Sequence, residues 1–210
     1  MKRRRQPTRI ELIEAEFDRE YPELLAERER DRAEKLRARD YEGYLLKCGG
    51  CQRLPALLKI ELLVPDKEYW RCLNLAWSNI EISAPDQREW LRLFTSQRSH
   101  REFLMSVRAR RTLAAMAQTL TIYRGYARGR ARSGLSWTLS KKQAQFFAEY
   151  AIGRRRELFC GHSRSAAPMI AIGRCFKSDV LAYFNGRRER EIVINPRKVF
   201  AKRSVSIKPR

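Results

Sequence analysis

The chain changes its hydrophobic rhythm once, near residue 118. Before that point apolar residues recur at helical spacing; after it they alternate or run together as strands. Over residues 8–46, Ile10, Ile13, Phe17, Tyr21 and Leu24/Leu25 form an intermittent stripe, and charges of mixed sign dominate from Glu27 to Asp40. This predicts one or two helices forming a solvated arm. Residues 54–64 and 67–80 read as buried or amphipathic helices, with Trp70, Leu73 and Trp77 on one face. A further helix begins around Asp86–Leu91 behind Pro85, and another spans 103–118. Residues 119–125 then alternate as a strand, and 135–138 form a short second one. Ser140-Lys141-Lys142-Gln143 matches a capping box and opens a helix carrying Ala144, Phe147 and Ala148. Residues 152–167 read as a basic loop; strands follow at 169–176, 180–184 and 191–194, with a last one over 199–207. The expected organisation is α+β: a charged helical arm (1–46), a helical lobe (47–118), a strand-rich core (119–205) and a basic tail (206–210).

A chain of 210 residues that is 43% hydrophobic can bury a real core. No apolar run reaches the length of a membrane span, and the basic start MKRRRQ leads into no apolar segment. A cytoplasmic protein with no membrane partner is expected. Five cysteines, an odd number without a framework pattern, point to a reducing compartment. Cys48-Gly49-Gly50-Cys51 is the one CxxC; an ordinary turn is the first reading, with zinc, completed by Cys72, Cys160 or His162, as the alternative. No metal is expected.

Charge changes the picture further. The net charge is +21, and residues 121–210 hold 21 Lys/Arg against 5 Asp/Glu, a net +16. A field of that size attracts polyanions such as nucleic acid or an acidic protein.

Inside that basic half, Glu189 and Glu191 stand two residues apart before Ile192-Val193-Ile194. Strand alternation would send both carboxylates to one face, roughly 6–7 Å apart. Such a pair can divide two tasks at one reacting carbon: stabilising positive charge and handling a proton. Glu14/Glu16 and Glu27/Glu29 repeat the spacing, but in charged helical sequence. Arg124 shares a strand face with Leu120 and Ile122, so its guanidinium is expected in a partly buried cleft, where it needs an anion such as a carboxylate or phosphate.

Tyr-Arg-Gly on a first strand, Ser-Trp-Thr on a second, a capped helix with paired Phe and a late Glu-x-Glu stand in a fixed order over residues 119–205. In this order the chain resembles the ADP-ribosyltransferases of the Arg–Ser–Glu class, the bacterial-toxin-like branch. The resemblance implies a two-sheet core around an NAD cleft. It implies that Glu191 holds the ribose of NAD, the substrate, and stabilises the charge that develops as nicotinamide leaves. Ser136 would orient that carboxylate, Thr138 would support the strand or the nicotinamide pocket, and Arg124 would bind the phosphates. Gly125 would let the backbone approach the ligand, and Phe147 or Phe146 would line the nicotinamide pocket. Glu189 would activate the acceptor, and the preceding loop, with Tyr183, Phe184, Arg187 and Arg188, would recognise it. The usual Ser-Thr-Ser triplet is Ser-Trp-Thr here.

Three functions are compatible with these residues. One is transfer of ADP-ribose to nucleic acid, with RNA favoured by the clustered charge, by Arg187, Arg188 and Arg190 and by Tyr183 and Phe184 as stacking groups. Another is modification of protein arginine. The third is an inactive binding module, against which the retained Arg, Ser and Glu residues speak. The analogy with intracellular toxins of toxin–antitoxin or phage-conflict systems implies an acidic antitoxin as partner.

Overall fold

The computed structural model describes residues 9–78, 87–129, 132–158, 167–186 and 188–207. The chain forms two compact units, Met1–Ala84 and Pro85–Arg210.

The first unit is helical. α1 (Arg9–Glu20) and α2 (Pro22–Arg37) are separate helices because Pro22 occupies the first turn of α2. A third helix, α3 (Tyr41–Leu46), follows because the Asp40 side chain accepts a hydrogen bond from Gly43 N–H at 2.8 Å. α2 buries none of its residues, as the charge pattern of the arm implies. It is tied down by Lys47 Nζ on Asp31 (2.6 Å) and by Arg32, which donates to the Lys47 carbonyl (3.2 Å). α4 (Arg53–Ile60) and α5 (Asp66–Ser78) complete the unit around Tyr44, Leu45, Leu57, Ile60, Trp70 and Leu73. Because Tyr44 and Leu45 of α3 are part of this core, no domain boundary falls at residue 46.

The helices after Pro85 belong with the strands, against the expected lobe over 47–118. α6 (Gln87–Phe94) buries Trp90, Leu93 and Phe94. The helix expected over 103–118 is a 3-10 turn (Arg101–Leu104) followed by α7 (Val107–Ala114), since Ser106 Oγ accepts from Ala109 N–H at 3.1 Å and starts a new helix. Met105, Ala109, Leu113 and Met116 pack on the cluster of Leu120, Ile122, Trp137, Ala171, Tyr183 and Ile192.

That cluster covers one face of the sheet. Its strands are β1 (Thr119–Ala127), β2 (Ser136–Thr138), β3 (Pro168–Phe176), β4 (Val180–Phe184), β5 (Glu191–Ile194) and β6 (Phe200–Ser206). Among the described residues they form one six-stranded antiparallel sheet in the order β4-β5-β2-β1-β3-β6, in place of the two sheets expected. The physical reason is β2. Though three residues long, it pairs with β5 on one side and with β1, at Tyr123 and Thr138, on the other, joining the halves.

α8 (Lys141–Leu158) packs on β1. Its cap is the predicted one, Gln143 N–H donating to Ser140 Oγ at 3.2 Å. The helix continues through 152–158, where a loop was expected, because Arg, Glu and Leu propagate a helix well once it is packed. No helix among the described residues is long and apolar enough to cross a membrane.

Candidate active site

The β2–β5 ladder sets the site. Its register pairs Ser136 with Val193, Trp137 with Ile192 and Thr138 with Glu191. Alternation therefore turns Trp137 and Ile192 into the core and puts Ser136, Thr138 and Glu191 together on the opposite face. Phe184 of β4, paired with Glu191, flanks the carboxylate from the other side. Ser136 Oγ–H donates to Glu191 Oε1 at 2.5 Å. Thr138 is buried, donates to the Glu189 carbonyl at 2.6 Å and accepts from Ser140 N–H at 3.0 Å. These two bonds tie the turn before β5 to the start of α8.

Arg124 shares its strand face with Ile122 and so starts from the core side of the sheet, opposite Ala171 of β3. Its guanidinium ends against β2. Nη1 donates to the Ser136 carbonyl at 2.6 Å, and Nε is enclosed without a hydrogen-bond partner. Gly134 roofs the guanidinium: a Cβ there would lie 2.7 Å from Arg124 Cζ. Burial pushes the guanidinium pKa down, and the negative charge of Glu191 pulls it back up. Arg124 thus braces the residue that orients Glu191 and sets a positive charge beside it. Trp137 closes the arrangement by donating from Nε1 to the Gly134 carbonyl at 2.8 Å. Gly134 and Trp137 escaped the sequence reading. Their signal was the glycine two residues before the serine and the bulky residue replacing the usual middle Thr.

The structure corrects four expectations. β5 begins at Glu191, so Glu189 lies in the turn, between Arg188 (φ 59°) and Arg190 (φ 50°) in left-handed conformation. Strand alternation does not carry Glu189 onto the face of Glu191; two non-glycine residues at positive φ interrupt it. The turn is held instead by Asn185, whose carbonyl accepts from Arg188 N–H (3.1 Å) and whose Oδ1 accepts from Arg190 N–H (3.2 Å). Tyr183 is 2% exposed and belongs to the core, so its ring cannot stack on an acceptor. The room left by Gly125 is taken by α8, since a Cβ there would meet the Ala144 carbonyl and Ala148 N. Phe146 is 54% exposed and so does not line an enclosed pocket, whereas Phe147 is half-buried. Phe184 is half-buried and Arg188 exposed; Arg187 lies outside the described residues.

Cys48 is a buried thiol donating to the Tyr44 carbonyl at 3.4 Å. The Cys51 side chain, Cys160 and His162 lie outside the described residues. Among the described residues no group of three His, Cys, Asp or Glu is placed to hold a metal. No protein-family model matches the chain, and comparison with curated proteins and with solved structures returns no match.

Proposed function

We propose that this chain is an NAD-dependent mono-ADP-ribosyltransferase whose acceptor is nucleic acid, with RNA favoured. The observation that carries the reading is the linked series Arg124–Ser136–Glu191: guanidinium on the serine carbonyl, serine hydroxyl on the carboxylate. The donor set suits NAD, because an oriented carboxylate can accept from a ribose hydroxyl and face the sugar as it gains positive charge. Arg124, enclosed behind Ser136 and Gly134, is not placed to grip the pyrophosphate, the role the resemblance implies for it; it supports Glu191 through Ser136 and through its charge.

In the transfer, the bond from ribose C1′ to the nicotinamide nitrogen breaks and nicotinamide leaves with the electron pair. Glu191 lowers the barrier electrostatically and through the ribose. A new bond forms from C1′ to an acceptor oxygen or nitrogen, whose proton passes to Glu189, which serves from the turn before β5 and not from the strand face of Glu191. Phe184, beside Glu191, bounds the site. The net +16 of residues 121–210 favours a polyanionic acceptor and an acidic protein as inhibitor, an antitoxin by analogy. Action inside the cytoplasm, as a toxin or phage-conflict effector, belongs to the same proposal.

The test is incubation of the purified chain with NAD labelled in its adenylate part and, separately, total RNA, DNA or protein extract. Label in RNA that ribonuclease releases supports the reading. Label confined to protein refutes the acceptor, and failure to consume NAD under all three conditions refutes the enzyme.

A further inference from the structure

The outer face of α8 carries an aromatic pair with no place in the chemistry above. Phe146 and Tyr150 are 54% and 44% exposed, and their rings stack with centroids 5.9 Å apart at an interplanar angle of 14°. They are one turn apart, so both project from the same side. Ala144 and Ala148 face β1 from the opposite side, since two residues of α-helix rotate by about 200°. Phe147, half-buried, meets Phe146 edge-on at 5.6 Å and orients it.

We propose that this ladder is the platform on which a single-stranded nucleic-acid acceptor lies, its bases stacking on Phe146 and Tyr150. The inference rests on the transferase reading for the source of the acceptor, but its geometry stands alone. Exposed ring faces combined with cations are what sequence-tolerant binding of single strands requires. The cations are present: Lys141 and Lys142 are exposed in the first turn of α8, and Lys142 lies one turn before Phe146 on the same face. The one acid between Lys141 and Tyr150, Glu149, accepts from Gln145 Nε2 at 3.0 Å. Tyr183 and Phe184 do not offer an alternative platform, being buried and half-buried. A strand crossing the outer face of α8 is about one helix diameter, some 10 Å, from β1. Only two residues separate β2 from α8, and the Ser140–Thr138 hydrogen bond fastens them.

Fluorescence anisotropy with a labelled 12-nucleotide single-stranded RNA, and with the duplex of the same sequence, tests the platform without NAD. The wild type should prefer the single strand. Phe146→Ala should weaken that binding by about tenfold, and Phe146→Ala/Tyr150→Ala by more. Phe146→Trp should retain or strengthen it. Lys142→Gln should flatten the dependence of affinity on salt, whereas the ring variants should leave that slope unchanged. Single-strand affinity within twofold of wild type in the double variant overturns the platform, as does loss in Phe146→Trp or equal binding of duplex. Wild-type protein that binds the strand through these rings but never consumes NAD would leave the platform standing and remove the transferase reading.

Discussion

Ser136 and Glu191 are not register partners, yet the serine hydroxyl reaches the carboxylate at 2.5 Å. They are diagonal neighbours across β2 and β5, a separation that a glutamate side chain spans. The consequence is that Ser136 orients Glu191 without belonging to its strand. Ser136→Ala should therefore slow NAD cleavage by roughly tenfold to a hundredfold. Ser136→Thr should restore most of the rate. Initial rates of nicotinamide release measure both.

Glu189 and Glu191 should separate in their effects. Glu191→Gln should abolish nicotinamide release and transfer together, while Glu189→Gln should leave release to water measurable and stop transfer. Thr138→Val removes the hydroxyl that holds the Glu189 carbonyl; it should impair transfer about tenfold more than release, as misplacement of one group does. Equal losses in both assays would refute the division of labour.

Two glycines should fail in different ways. Ala at 134 meets the end of the flexible Arg124 side chain, which can shift. Gly134→Ala should thus displace the guanidinium, lowering activity while the protein stays folded. Ala at 125 meets the backbone of α8, which cannot shift without leaving the sheet. Gly125→Ala should destabilise by at least about 1–3 kcal/mol, the usual result of overpacking. Urea titrations alongside NAD assays distinguish the two.

In the helical unit, Asp40→Ala removes the cap of α3 and should cost about 1 kcal/mol. Lys35 and the Gly43 N–H hold the Asp40 carboxyl below the usual range. The stabilisation is accordingly present near neutrality and lost as pH falls through the lowered value. Far-UV circular dichroism with urea at pH 7 and at pH 3 should show a smaller acid-induced loss in the variant.

Burial pushes the Cys72 thiol up to about 12 and the Cys175 thiol up to about 11. Neither offers thiolate for alkylation at pH 8 until the protein unfolds. In the unfolded chain these thiols release protons near 9.0, before the folded ones do. Their contribution is complete below pH 9 and lost as pH rises through the window up to 11–12. Iodoacetamide labelling should be confined to denatured protein at these positions, and Cys72→Ala should show a shallower alkaline loss of stability.

Much of the site was legible because it depends on local order along the chain. The strand at Arg124, the cap at Ser140 and the run Ile192–Ile194 all follow from spacing and residue type, and all are present. The position of Glu189 was not, because the left-handed Arg188 and Arg190 break an alternation that the letters alone continue. The burial of Tyr183 was also hidden: in Val180–Phe184 both strand faces are apolar, so composition does not choose between them.

By itself, then, the sequence determined the helix-to-strand change, the strands that carry Arg124, Ser136 and Glu191, and the cationic half around them. Those are properties of period, propensity and charge, which neighbours in the chain settle. Only the tertiary structure decided that one sheet replaces two, that α8 fills the space at Gly125, and that Arg124 turns inward to brace Ser136. Each of these depends on which backbone arrives opposite a given residue. That is a matter of packing between segments far apart in sequence, where excluded volume and hydrogen-bond satisfaction select among arrangements that the local pattern leaves equivalent.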